Sequence, residues 1–317
     1  MNGIKSVREY ALYERVVMRI LFAWLVLKAT PARLSFYEIP APNGITRLLN
    51  LHFLLDPQVY AICRVLLVVA LVLYVLRLMI WLALPLALFV NVAANAVTNS
   101  QGAIQHAYQI VSLVLLAQTA AHFYGVWLRC AGEPRTFLED RLICWSQQTI
   151  VAVYLVAGIT KLIVTKGLWI FQARMISVSM AKAAYGSFYE RLDHSDLEQK
   201  LAMANFAASH GWIVALIAGC GLALELGSPL ALLNRSMAAL FGCALLAFHL
   251  GLDRTMHLSF FFNQWLLIIY MVNIPYWIVT GTRAMTRNKG SNRLECRHKK
   301  PARRFRVCHV FPVRWRP

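Results

Sequence analysis

Apolar residues arrive along this chain in long runs that do not alternate with polar ones, and these runs set the element prediction. Eight stand out, roughly Val16–Ala29, Val59–Leu76, Leu78–Thr98, Ala107–Leu128, Thr149–Phe171, Trp212–Leu233, Ser236–Gly251 and Leu258–Thr280. Most approach the roughly 20 residues that a helix needs to cross about 30 Å of hydrocarbon. Barrel strands would instead show alternating segments of about ten residues. Lipid offers no partner to an unpaired backbone amide, so runs of this length must be helices. The pattern predicts an all-α, multi-pass transmembrane helical bundle of about eight spans, eight or nine.

The polar intervals divide the chain into a lead over 1–15 with Lys5, Arg8 and Arg15, a membrane domain over 16–280, and a basic tail over 281–317. Pro31, Pro40, Pro42 and Gly44 mark an ordered excursion at the membrane interface. Between Phe171 and His210 the chain is more polar. There Ser195 is followed three residues on by Glu198, a capping-box spacing that predicts a short amphipathic helix beginning near Asp196, outside the bilayer. No repeat of 20 to 50 residues is visible, which argues against a solenoid.

Composition agrees with the pattern: 59% of the 317 residues are hydrophobic and 15% charged, with mean hydropathy +0.55, too apolar for a soluble globular chain. The net charge of +18 is concentrated at one end, because residues 281–317 hold 12 Lys or Arg against Glu295 alone. A basic segment directly after a span is a topology signal. The C-terminus is therefore expected in the cytoplasm, together with the N-terminus if there are eight spans. The tail's composition predicts disorder and attraction to anionic headgroups, so membrane lipid is the expected partner and nucleic acid is not. Seven cysteines show no close pairing; Cys63, Cys220 and Cys243, inside apolar runs, read as small buried hydrophobes.

The candidate chemistry lies in ionisable residues inside spans, where each costs a few kcal/mol (roughly 2.5–3.5 for an Arg, Lys or Asp at mid-span) unless it faces the bundle interior or a partner. These are Arg19, Arg64, His106, Lys161, Glu225 and His249. Arg19 and Arg64 lie within two turns of a run's end, where snorkelling or pairing accounts for them. Glu225 lies deeper, and an internal ion pair with an arginine is its simplest explanation. Lys161 sits near the middle of its run. Desolvation of a primary amine favours the neutral, basic form, which makes Lys161 a candidate general base; bending toward Lys166 and the interface is the alternative. His249, Asp253 and His257 share a helix face, but the outer pair is about 12 Å apart along the axis, too far for one ion. No metal is expected.

Three strings, QHAYQIVSLVLLAQT, VYLVAGITKL and AFHLGLDRTMHLSFF, together with MRILFAW in the first span, resemble the membrane domain of the vitamin K-dependent gamma-carboxylase superfamily, also called the horizontally transferred transmembrane (HTTM) family. The similarity covers about Val16 to Trp277. It implies a helical bundle in the bacterial inner (plasma) membrane in which a buried lysine deprotonates a reduced naphthoquinone of the vitamin K or menaquinone type. By that resemblance Lys161 is the base, His106 stabilises a quinone or an intermediate, and His249, Arg19 and Glu225 contact the cofactor. The carboxylase continues into a large soluble domain, whereas here 37 residues, 12 of them Lys or Arg, follow the last run. Peptide glutamate carboxylation is therefore not expected, and a substrate-binding half would come from a separate soluble partner or be replaced by a small substrate. The alternative is a non-catalytic membrane protein that binds lipid or quinone or anchors a partner.

Overall fold

A computed structural model describes residues 8–34, 43–100, 106–129, 135–192, 194, 197–256 and 258–290, and every regular element among them is helical. The helices are α1 (Leu12–Ala29), α2 (Pro57–Leu76), α3 (Ile80–Asn99), α4 (His106–Arg129), α5 (Arg135–Val164), α6 (Trp169–Gln172), α7 (Ile176–Arg191), α8 (Leu197–Ser209), α9 (Gly211–Gly227), α10 (Arg235–Met256), α11 (Phe261–Leu266) and α12 (Ile274–Gly290). A π-helical stretch, Leu267–Val272, joins the last two. Seven segments are long and apolar enough to cross a membrane: Pro57–Leu76, Ile80–Asn99, Ala107–Leu128, Leu138–Val164, Gly211–Leu232, Arg235–Met256 and Phe261–Arg283. The protein is an integral, multi-pass membrane protein.

α1 is less apolar, since its 18 residues include Glu14, Arg15, Arg19 and Lys28, yet it lies at the centre of the bundle. Phe22, Leu25 and Val26 have no exposed surface, and they share one cluster with Leu67, Leu84, Leu115, Ile150, Leu266 and Tyr270. Its two ends are held by polar side chains from other helices. At the start, Glu14 accepts from Arg235 (2.5 Å) and Asn273 (2.6 Å), and Arg15 forks onto Asp140 (2.8 and 2.9 Å). At the end, the free carbonyls that every helix C-terminus leaves are taken up. Arg64 donates to the Thr30 and Pro31 carbonyls, Asn95 to the Ala29 carbonyl and Tyr60 to the Pro31 carbonyl. α1 therefore traverses the same depth as α2 and α3, and with the seven segments above makes eight crossings among the described residues.

These contacts fix the topology. The starts of α1 and α10 meet through Glu14 and Arg235, so they share a membrane face with the turn between α2 and α3 and with the end of α4 and the start of α5. The opposite face carries the segment before α2 and the α6–α8 region. There Met180 of α7 and Ala204 and Ala207 of α8 pack on Val214 and Met256, at the adjoining ends of α9 and α10. Outward, the bundle presents Val65, Phe89, Leu116, Val156 and Leu240, all exposed, the surface that a lipid solvent requires.

Several expectations change. The run Thr149–Phe171 is not one span: α5 begins at Arg135, 30 residues long, because the acidic and basic residues before Thr149 are paired rather than solvated. It stops at Val164, where Lys166 (φ 51°) and Gly167 (φ 80°) turn the chain. Lys161 is consequently in the last turn of α5, not at mid-span. Cys220 and Cys243 are exposed and Cys63 is half-buried; their apolar surroundings are those of the lipid face. The amphipathic helix after Asp196 is present as α8, while Ser195 and Asp196 themselves lie outside the described residues. α12 continues to Gly290, past the expected boundary at 281, and the rest of the basic tail, 291–317, also lies outside them.

Close approach of α10 to the π-helical stretch depends on Gly242, where a Cβ would lie 2.8 Å from Met271 Cβ and 3.3 Å from the Val272 backbone nitrogen. Gly251, on the same helix, has nothing within 4 Å. Gly242→Val is expected to lower stability by about 1–3 kcal/mol through overpacking, while Gly251→Ala leaves it unchanged. Thermal denaturation of the two variants in detergent checks this pair.

Candidate functional site

Three helices bring the central polar cluster together. Gly158 of α5 lets α9 approach: a Cβ there would sit 3.2 Å from Glu225 Cβ and 3.0 Å from Leu226 Cδ2. Gly221 of α9, one turn from Glu225, leaves room for the Phe248 ring of α10, into which any Cβ would collide. With these clearances, Lys161 Nζ donates to both oxygens of Glu225 at 2.5 Å. The carboxylate is 5% exposed and the lysine 27%, so the pair opens on the lysine side. The Trp169 ring lies 5.4 Å from the ammonium, placed there by the turn after α5. That distance is within the range of a cation–π contact.

Two turns before Lys161 on the same face of α5, Tyr154 shares a hydrogen bond of 2.8 Å with His249 Nε2, and the Asn263 side chain lies beside the Tyr154 side chain. Phe260 stacks on the imidazole with centroids 4.6 Å apart and planes inclined by 28°. His249 is 4% exposed, and its Nδ1 is buried without a hydrogen-bond partner. If Tyr154 donates to Nε2, the neutral ring carries its proton on Nδ1, and that N–H is an unused buried donor. The cluster thus combines an ion pair, a tyrosine–histidine pair, one spare polar atom and the flat faces of Trp169 and Phe260.

Of the residues singled out from the sequence, Lys161, Glu225 and His249 come together in this way. The partner of Glu225 is Lys161, not an arginine. Arg19 lies elsewhere. It lines a separate cavity of about 790 Å³ with Arg15, Arg77, Tyr74, Gln118 and Tyr270 among others, and none of Lys161, Glu225 or His249 belongs to that lining. His106 starts α4; its side chain, like His257, falls outside the described residues. Arg64 caps α1, as above. Tyr154, Trp169 and Asn263 were not singled out. Tyr154 was legible, seven residues before Lys161 and so on the same helical face; Trp169 and Asn263 reach the cluster only through a turn and a distant helix.

No protein-family model, curated protein or solved structure matches the chain.

Removing one member of the pair leaves the other charge buried, at a cost of about 3–5 kcal/mol, and the partial exposure of Lys161 places this pair at the low end. Lys161→Met is expected to lower stability by about 3 kcal/mol, and the double variant Lys161→Met/Glu225→Gln to recover most of that loss. Chemical denaturation of the three proteins in one detergent measures the coupling.

Proposed function

We propose that the chain is a membrane protein of the HTTM type, akin to the membrane domain of the vitamin K-dependent gamma-carboxylase superfamily. In this reading the Lys161–Glu225 pair removes a proton from the hydroxyl of a lipid-soluble hydroquinone. The observation that carries the reading is the juxtaposition of that pair with the Tyr154–His249 pair on one face of α5, with His249 Nδ1 left unused. When bound, a reduced naphthoquinone supplies an acidic phenolic hydroxyl and the electrons that reduce oxygen.

The protein's own part is proton handling. Lys161 Nζ and Glu225 share one ionisable proton, and the site can hold a second because one acceptor position, on nitrogen or on oxygen, is vacant in either tautomer. The proton removed from the substrate hydroxyl enters on Lys161 Nζ in the neutral tautomer, where Glu225 holds the shared proton, and the pair ends with one such proton on nitrogen and one on oxygen. His249 Nδ1 donates to the substrate's second oxygen, while Trp169 and Phe260 bracket an aromatic ring and keep water out. A phenol with a pKa near 10 is a reasonable partner for a lysine amine. The oxidised counterpart needs a route to the membrane, which the partly exposed lysine side of the cluster provides.

A non-catalytic bundle is the second reading, since an ion pair between α5 and α9 also serves simply to join them. The two readings part on one variant. Lys161→Arg preserves the pair and the fold, yet a guanidinium has no neutral basic form at accessible pH. Catalysis therefore predicts loss of oxygen uptake with a reduced menaquinone analogue in Lys161→Arg and in the stability-rescued Lys161→Met/Glu225→Gln. Uptake equal to the parent protein in either variant overturns the catalytic reading.

For orientation, we place both termini in the cytoplasm of a bacterial inner membrane. Arg77 and Arg235 flank short connections on the termini face, and α12, which ends toward that face, leads in the sequence into a stretch with 12 Lys or Arg over 281–317, the pattern the positive-inside rule associates with the cytoplasm. A reporter fused after Trp315 should be active only in its cytoplasmic form; activity on the outer side alone reverses the assignment.

A further inference from the structure

The cavity that holds Arg19 is independent of the Lys161 cluster and has its own chemistry. Its three arginines are not equivalent. Arg15 is committed to Asp140 and Arg77 to Glu139. Arg19 donates through Nε to the Arg15 carbonyl at 3.3 Å, while its Nη1 is buried and has no partner. Beside it Glu139, the ion-pair partner of Arg77, keeps both carboxylate oxygens buried without a hydrogen bond, while the rest of the polar floor is bonded within itself. Tyr74 donates to Gln118 (2.8 Å), whose amide donates to Ser146 (3.0 Å) and Tyr270 (2.7 Å). The walls, formed by Met18, Ile80, Trp81, Leu138 and Leu142, are apolar.

We propose that this cavity binds an anionic phospholipid, with a phosphate oxygen on Arg19 Nη1 and acyl chain against the apolar wall. A buried guanidinium N–H without an acceptor is costly, and carboxylate and phosphate oxygens are the anionic acceptors it pairs with most strongly, of which a lipid headgroup supplies phosphate. A volume of about 790 Å³ holds a headgroup and the first part of a chain, not a whole lipid, so the remainder extends into the bilayer. The position agrees. Arg15 at the start of α1, Arg77 in the turn after α2 and Glu139 near the start of α5 set the cavity at headgroup depth on the termini face, where the chain's basic residues concentrate and attract anionic lipid. A neutral ring would leave the Arg19 charge uncompensated.

The test uses the full chain purified in detergent, titrated with dioleoyl phosphatidylglycerol, dioleoyl phosphatidylcholine or inorganic phosphate while its melting temperature is followed. Phosphatidylglycerol is expected to raise the melting temperature at concentrations at least about tenfold lower than phosphatidylcholine does, and Arg19→Gln to weaken that response about tenfold, the equivalent of one charge-assisted hydrogen bond. Met79→Glu changes an exposed residue of the cavity rim. It should weaken the response similarly with no change in the lipid-free melting temperature, and it decides the matter if Arg19→Gln fails to fold. Equal responses to the two lipids overturn the proposal. So does a full response to inorganic phosphate alone, which makes the ligand a free anion, or a parental response in Met79→Glu.

Discussion

A carboxylate that is 2% exposed survives at Glu14 because donors from three separate parts of the chain converge on it. The Ala11 backbone N–H donates to one oxygen at 2.7 Å, closing the first turn of α1. Arg235, at the start of α10, and Asn273, at the end of the π-helical stretch, donate to the other. Arg235 is itself sandwiched by the rings of Tyr10 and Tyr276, 4.7 and 4.2 Å away. In a hydrocarbon solvent apolar packing between helices has little preference over packing against lipid, so polar contacts of this kind carry register and neighbour choice. One saturated carboxylate thereby fixes where α1 sits against α10 and the last crossing. Those helices set the depth at which His249 and Phe260 face α5.

The same economy of charge separates the two sites. Lys161 and Glu225 compensate each other between α5 and α9, so that pair carries no net charge. Around Arg19, the carboxylates of Asp140 and Glu139 are consumed by Arg15 and Arg77, and a positive charge is left over at headgroup depth. Glycines at 158, 221 and 242 permit the helix approaches that make the first arrangement possible. The cost of a Cβ at each of the three falls on a different helix pair.

Much of the bundle was legible because lipid imposes a length and a composition on each crossing: seven runs emerge as crossings within a few residues, save the one that starts at Arg135. That boundary was hidden because Glu139, Asp140 and Arg141 read as solvent-exposed by type, whereas Asp140 is neutralised by Arg15 of another helix. Lys161, Glu225 and His249 were visible as ionisable residues in apolar surroundings. Their mutual distances were not, because pairing between α5 and α9 depends on Gly158 and on the path of the chain between Val164 and Gly211, which no periodicity records. Arg19 was visible for the same reason as Lys161, but its assignment to a different cavity follows only from the position of α1 at the bundle centre.

The proposed function puts a quinone ring against the Lys161–Glu225 and Tyr154–His249 pairs. Photo-crosslinking with an azido-substituted naphthoquinone, followed by peptide mapping of the labelled residues, addresses that placement without depending on turnover. The account predicts label on the turns around Tyr154, Lys161, Trp169 and Phe260, competed away by unlabelled menaquinone. Label confined to the Tyr74–Trp81 and Gln118–Leu142 segments, or distributed over the lipid-facing surface without competition, would contradict it.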